Sequence, residues 1–214
     1  MLVRCSFTPR EDGFTWQVDS RNSACVDGKE AWRTQAHGCL APLRSSAPKN
    51  LSKGEIKTVI ERCSENLNRD DFYRRIVQQG YGYGTTFQGI AQLWWNSTEA
   101  VAHIVVDGNR SGPATSVIPG VLDSCFQVSL FAGLTQGLRS AGDLYIPVGL
   151  DHMEIYGPIK GPLWCHCKLR DVTRSMARVD FCIYDDAGVL LARIDRLLAF
   201  RVKRLIRDRS HRKS

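Results

Sequence analysis

The stretch Ile118-Pro119-Gly120-Val121-Leu122-Asp123-Ser124-Cys125-Phe126-Gln127 places one carboxylate in a segment that leaves almost no side for water. Pro119 and Gly120 suit a helix start, and Val121, Leu122, Cys125, Phe126, Val128, Leu130, Phe131 and Leu134 are apolar around the helical wheel. A helix that is apolar on nearly every side is buried, so the pattern predicts a central helix over about 119–138 with the rest of the fold built on it. Asp123 falls in the first turn of that helix, where a buried carboxylate needs a partner or a chemical task. Gln127 follows one helical turn later on the same side, and its amide can hydrogen-bond whatever Asp123 faces. The two residues form the candidate site, against the commoner use of Asp at a helix start, which is to satisfy free backbone amides.

Around that helix the pattern is mostly strand. Val3, Cys5 and Phe7 alternate, residues 9–13 make a turn, Phe14, Trp16 and Val18 alternate again, and a third run spans 32–40. Three such strands expose their edges and one apolar face, and are expected to pack against something else. Pro42, Ser45, Ser46, Pro48, Ser52 and Gly54 mark residues 41–55 as a linker. Residues 69–79 read as a short helix ended by Gly80 and the glycine-rich Tyr81-Gly82-Tyr83-Gly84. From Thr86 the period is two, with Phe87, Gly89, Ala91, Leu93 and Trp95 on one face, and a second strand spans 100–106 before a turn at 107–109. Beyond the helix come a strand over 144–156 and a meander of 163–170, 176–184 and 189–202, with a turn at Asp185-Asp186-Ala187-Gly188. One buried helix with antiparallel strands fits an α+β hotdog fold, a sheet wrapped around a central helix, better than a doubly wound α/β sheet, because strands do not alternate with amphipathic helices.

The formal net charge of +7 is concentrated at one end. From Arg201 to Ser214 seven basic residues face one acid, a net of +6, so the remaining 200 residues are nearly neutral and a nucleic-acid partner is not expected. The basic run reads as a solvated end, or as a dock for an acidic partner. No stretch approaches the roughly 20 apolar residues of a membrane span, and no signal-like run opens the chain. Eight cysteines are therefore expected to be reduced thiols in a cytoplasmic protein. In Cys165-His166-Cys167 the two thiols share one strand face with Leu163 and Leu169 while His166 points the other way, which reads as core packing, and no metal site is expected. His103 reads as a partly buried, satisfied imidazole, and His152 follows the Pro147 stretch. The glycines at 80, 82, 84 and 89 are not a phosphate-binding loop, since the residues after them read as a strand.

Three stretches together resemble the dehydratase domain of modular polyketide synthases, a double-hotdog family. Residues Gly80-Tyr81-Gly82-Tyr83-Gly84-Thr85-Thr86-Phe87-Gln88-Gly89 resemble its G-Y-x-Y-G-P-x-F-Q-G stretch. Residues 119–127 resemble its H-P-x-L-L-D-x-x-x-Q/H stretch, and Leu144-Tyr145-Ile146-Pro147-Val148-Gly149-Leu150 sits where that family has its L-P-F strand. Trp32-Arg33-Thr34-Gln35-Ala36-His37-Gly38 resembles the last strand of the family's first hotdog. The likeness runs from residue 1 to about 204. Thr85 replaces a proline, Ile118 replaces a His, and the H-x-x-x-G-x-x-x-x-P motif carrying the family's catalytic His appears nowhere; His37 lacks its spacing. The resemblance thus implies a partial double hotdog: strands ending a first hotdog over 1–40, the 41–55 linker, a second hotdog over 56–204 and a basic tail over 205–214.

In chemistry, the resemblance implies loss of water from a β-hydroxyacyl thioester to give the α,β-unsaturated thioester. It gives Asp123 the role of general acid and Gln127 that of positioning it, with Tyr81, Tyr83, Gly84, Phe87 and Pro147 beside the substrate. No bound cofactor is implied; the substrate rides on the phosphopantetheine of an acyl carrier protein. Neighbouring synthase domains are the other implied partners, and two copies of the chain are expected to pair if that covers the open first-half strands. With the His absent, the chain alone is expected to be inactive. Two other readings stand beside this one: a non-catalytic dehydratase-like remnant that binds carrier protein or holds neighbouring domains, and a hotdog acyl thioesterase using a carboxylate on the same helix.

Overall fold

The computed structural model describes residues 1–22, 31–43, 53–105, 117–132 and 143–203. They fall into two compact units, Met1–Ser46 and Ala47–Ser214.

The first unit is a three-stranded antiparallel sheet of β1 (Leu2–Arg10), β2 (Gly13–Arg21) and β3 (Arg33–Leu40), in that order. A two-residue turn joins β1 to β2, and Gly13 closes it at φ 150°, where a Cβ would lie 1.9 Å from the Leu40 carbonyl oxygen. The register pairs Phe7 with Trp16, Trp16 with Gly38 and Phe14 with Leu40, so the period-two pattern collects the apolar side chains on one face. Val3, Phe7, Phe14 and Leu40 remain exposed there. The other face is polar: Asp19, buried, accepts from Arg4 Nη2 at 2.9 Å, Gln17 Nε2 at 2.7 Å and Thr34 Oγ1 at 3.0 Å.

The second unit holds the core. Its elements are α1 (Lys53–Glu61), β4 (Glu65–Asn68), α2 (Arg69–Gln79), β5 (Ile90–Trp95), β6 (Glu99–Ile104), α3 (Pro119–Val128), β7 (Asp143–Gly149), β8 (His152–Ile155), β9 (Leu163–Val172), β10 (Met176–Asp185) and β11 (Leu190–Lys203). Eight strands make one sheet in the order β4-β5-β6-β9-β10-β11-β7, with β8 also on β11, and every pairing is antiparallel. Alternate residues Ala100, Ala102 and Ile104 of β6 and Leu163, Cys165 and Cys167 of β9 point inward onto Val121, Cys125 and Val128 of α3. Completely burying an aliphatic side chain of this size stabilises by about 1.5–3 kcal/mol, so the buried residues of α3 anchor the helix firmly. This is a hotdog: an α+β fold with the sheet curled around one apolar helix. α2 begins at Asn68, whose side chain accepts the Asp71 backbone N–H at 3.0 Å, and ends at Gly80 in the left-handed conformation (φ 107°).

Several expectations change. The central helix stops at Val128, because Ser129, Leu130 and Phe131 turn back with N–H groups bonded three residues earlier; residues 133–138 lie outside those described. α1 begins inside the stretch read as a linker, where Ser and Gly outweighed the apolar spacing of Ile56, Val59 and Ile60. The alternation from Thr86 fails because Thr85–Phe87 is a 3-10 turn and a register shift sits between Ile90 and Gln92, leaving Ala91 half-buried. The run 144–156 is two strands on different stretches of β11, separated at Leu150 and Asp151. The turn expected at 107–109 and the basic residues 204–214 lie outside the described residues.

Candidate active site

Pro119 is the first residue of α3, with Ile118 before it bonding through its N–H to the Ile159 carbonyl at 3.1 Å. Asp123 is therefore not in the first turn, as the sequence suggested, but one turn inside, beyond the free backbone N–H groups. It does not cap the helix. Its Oδ2 accepts instead from Gln127 Nε2 at 2.8 Å, the predicted i to i+4 pair. Gly120, Val121, Ser124, Cys125, Gln127 and Val128 are buried, whereas Leu122, Asp123 and Phe126 are only half-buried. One narrow stripe of the helix is thus left open, and Asp123 lies on it between two apolar neighbours.

The turn Thr85–Phe87 holds the start of α3. The Phe87 carbonyl accepts Gln127 Nε2 at 2.8 Å, and the hydroxyls of Tyr73 and Ser124 each come within 3.5 Å of it. Ser124 Oγ accepts the Gly89 N–H at 3.1 Å and donates to the Gly120 carbonyl at 2.8 Å, tying turn to helix. Two glycines make that approach possible: a Cβ on Gly120 would lie 2.4 Å from the Thr86 carbonyl oxygen, and one on Gly89 would lie 2.6 Å from Ser124 Oγ. Gly84 begins the turn, its carbonyl accepting the Phe87 N–H at 2.9 Å.

The two tyrosines of the glycine-rich stretch have different surroundings. Tyr81 and Tyr83 stack at 6.2 Å between centroids. The Tyr81 hydroxyl is taken up by the edge strand, accepting the Tyr145 N–H at 2.6 Å and donating to its carbonyl at 3.2 Å. Tyr83 is half-buried, and burial first, then the charge of Asp123, raises its phenol, so it stays a neutral hydroxyl close to the carboxylate. Pro147 lies on β7 two residues past Tyr145 with its side chain exposed beside exposed Ile146 and Val148. The Phe87 side chain is also exposed, so what this residue supplies to the cluster is its carbonyl.

Tyr73 and Ser124 belong to the cluster and were not among the residues read from sequence. Tyr73 sits on the buried face of α2 with Phe72 and Ile76, a spacing that announces core and conceals the hydroxyl. Its Oη accepts the Ile90 N–H at 3.0 Å and donates to Gln127 Oε1 at 3.2 Å. Burial pushes the phenol up to about 12. Gln127 is thereby held on all sides: its oxygen by Tyr73, its nitrogen by Phe87 and Asp123.

Three histidines of the second unit have partners other than Asp123. His103 Nε2 lies 3.1 Å from Asp186 Oδ1, His166 Nε2 lies 2.9 Å from Glu99 Oε2, and His152 on β8 lies 3.6 Å from Glu154. His37 is on β3 of the first unit. Cys165 and Cys167 are fully buried in the core, and burial raises both thiols. A cleft of about 410 Å³ lined by Ile56, Lys57, Ile60, His103, Trp164 and Asp186 lies on the face of the sheet opposite α3, so it is not the space in front of Asp123.

These features can be set beside known proteins. The family profile described as polyketide synthase dehydratase N-terminal domain matches residues 53–209. The chain belongs to the polyketide synthase dehydratase family. Polyketide synthase PksN of Bacillus subtilis strain 168 is 25% identical over an alignment of 194 residues that covers 86% of this chain and 4% of that protein, so the chain spans a small part of a far longer relative. The dehydratase domain from the CurJ module of curacin polyketide synthase superposes with a TM-score of 0.76 at 21% identity, over 94% of this chain and 68% of that one. A CurK dehydratase described as an inactive mutant, with an Asp exchanged for Asn, gives 0.73 at 22% identity over 94% and 67%; the corresponding inactive mutant with a His exchanged for Phe has the same fold.

Proposed function

We propose that this chain is the acid-bearing part of a dehydratase that removes water from a β-hydroxyacyl thioester carried on the phosphopantetheine of an acyl carrier protein. The observation that carries this reading is Asp123 on the half-open stripe of an otherwise buried helix, held by Gln127, in a chain of the dehydratase family. Dehydration needs two groups. A base takes the α-proton, the electrons of that C–H bond form the α,β double bond, and the Cβ–O bond breaks as Asp123 gives its proton to the departing hydroxyl, which leaves as water. In the CurK enzyme one Asp and one His each prove necessary, judged by the inactive mutants.

The base in this scheme is a His on a partner half of the double hotdog. The sequence contains no H-x-x-x-G-x-x-x-x-P motif, and His103, His152 and His166 are engaged elsewhere. The apolar face formed by Val3, Phe7, Phe14 and Leu40 supports the same reading, since strands exposing such a face call for a cover. Neighbouring synthase domains are the natural setting, in keeping with the length of PksN.

The test is an assay on β-hydroxyacyl-carrier protein. The chain alone is expected to give no enoyl product; joined to a His-bearing half it turns substrate over, and Asp123→Asn abolishes that turnover. Full-rate dehydration by the chain alone overturns the assignment of the base, and an active Asp123→Asn overturns that of the acid. Release of free acid in place of the enoyl thioester would make it a thioesterase.

A further inference from the structure

We propose that Tyr73 is a positioning residue which, through Gln127, determines that Asp123 delivers its proton from Oδ1. This rests on the reading of Asp123 as the acid.

The argument is one of hydrogen-bond directions in a closed chain. Tyr73 Oη accepts the buried Ile90 N–H at 3.0 Å, so the single phenolic hydrogen must go elsewhere. Two acceptors lie within 3.5 Å, Gln127 Oε1 at 3.2 Å and the Phe87 carbonyl at 3.5 Å, while Ser124 Oγ, also a neighbour of the phenol, already accepts the Gly89 N–H and donates to the Gly120 carbonyl. The Phe87 carbonyl already takes Gln127 Nε2 at 2.8 Å, and the shorter contact to Gln127 Oε1 receives the phenol. Inverting the amide would set its oxygen 2.8 Å from both the Phe87 carbonyl oxygen and Asp123 Oδ2, acceptor against acceptor. One amide orientation therefore satisfies every group.

In that orientation both Gln127 hydrogens are committed, one to the Phe87 carbonyl and one to Asp123 Oδ2. An N–H is accepted better by the carbonyl-type oxygen of a carboxylic acid than by its hydroxyl oxygen, so the Gln127 contact marks Oδ2 as the former and leaves the acid proton on Oδ1. Tyr73 thus acts at a distance on the geometry of proton delivery. The titratable groups near the carboxylate include the phenols of Tyr73 and Tyr83; burial raises both, so neither ionises near neutral pH and Tyr73 remains a donor throughout.

The experiment is side-chain NMR on the full chain, with a kinetic arm. In the wild type the Gln127 amide is expected as one distinct NH₂ pair in slow exchange with solvent, and the Tyr73 hydroxyl proton shows a cross-peak to it. In Tyr73→Phe the Gln127 NH₂ exchanges about tenfold faster or more, the cost of one lost buried hydrogen bond, while backbone amides of α3 keep their protection. In the dehydratase assembled with its His-bearing half, Tyr73→Phe lowers kcat with KM unchanged, and the loss vanishes in a Gln127→Leu background. Unchanged Gln127 exchange in Tyr73→Phe, or a kinetic loss that adds to that of Gln127→Leu, overturns the proposal. Should Tyr73→Phe fail to fold, the wild-type spectrum decides, because a Tyr73 hydroxyl exchanging at solvent rate without a cross-peak to Gln127 also overturns it. An assembled enzyme without activity would sink the dehydratase reading, and the NMR result would still judge the hydrogen-bond chain.

Discussion

Glu99 shows how much of a residue's chemistry depends on what crosses the sheet to meet it. Its carboxylate takes Arg62 bidentately, at 2.8 and 3.0 Å, and His166 Nε2 at 2.9 Å. The bonds from Arg62 outweigh the burial that opposes them and hold Glu99 at about 2, against an ordinary 4.5. His166 is lowered, chiefly by burial. Both shifts make the folded chain bind fewer protons than the unfolded one in acid, so stability falls as pH drops. The His166 contribution is lost below its ordinary value of 6.5, and the Glu99 contribution, complete above 4.5, is lost as pH falls towards about 2. Melting temperature measured against pH is expected to show that decline, and Glu99→Gln should lie furthest below the wild type above pH 4.5, with the gap closing in stronger acid. A constant gap down to pH 2.5 would show that Glu99 is not held ionised by these partners. None of this is visible in sequence: Arg62 is 37 positions and His166 67 positions from Glu99, and only the pairing of β6 with β9 and the docking of α1 bring them together.

At the scale of elements, the site depends on how closely α3 meets the turn before β5. Gly120 faces the Thr86 carbonyl oxygen, a backbone atom that cannot swing aside, and an added methyl would sit 2.4 Å from it. Gly120→Ala is accordingly expected to cost about 1–3 kcal/mol, read by denaturant unfolding, although alanine ordinarily favours a helix. A stabilised Gly120→Ala would mean that the turn is not seated against α3. The helix itself was legible because Val121, Cys125 and Val128 left no polar side, and so was the pairing of Asp123 with Gln127, a matter of helical spacing. Its length was not legible. Leu130, Phe131 and Ala132 are as apolar as the helix and just as buried, but they belong to the turn that follows, so hydrophobicity marked the core and missed the helix end.

For the whole molecule, the main buried apolar cluster draws its members among the described residues from 72–197, and the family profile matches 53–209. Among the described residues of the first unit Asp19 alone is buried. Residues 47–214 produced without the first unit are therefore expected to unfold in a single cooperative transition followed by circular dichroism, and residues 1–46 alone to show none. A non-cooperative melt of 47–214 would place essential core in the first unit. The sequence by itself determined the elements whose pattern is local: the three N-terminal strands, the α2 helix with its Gly80 end, the apolar α3 helix and the Asp123–Gln127 pair. Periodicities of 2 and 3.6 and the chemistry of caps act over a few residues, so they can be read from one segment at a time. Tertiary structure alone decided that Asp123 stands inside the helix on its open stripe, that the Phe87 carbonyl is the hub of the cluster, and that Tyr73, 54 residues before Gln127, holds its amide. Those facts depend on where a backbone carbonyl and a phenol from distant segments come to rest, and packing, which has to pair these buried polar groups together, is what sets those positions.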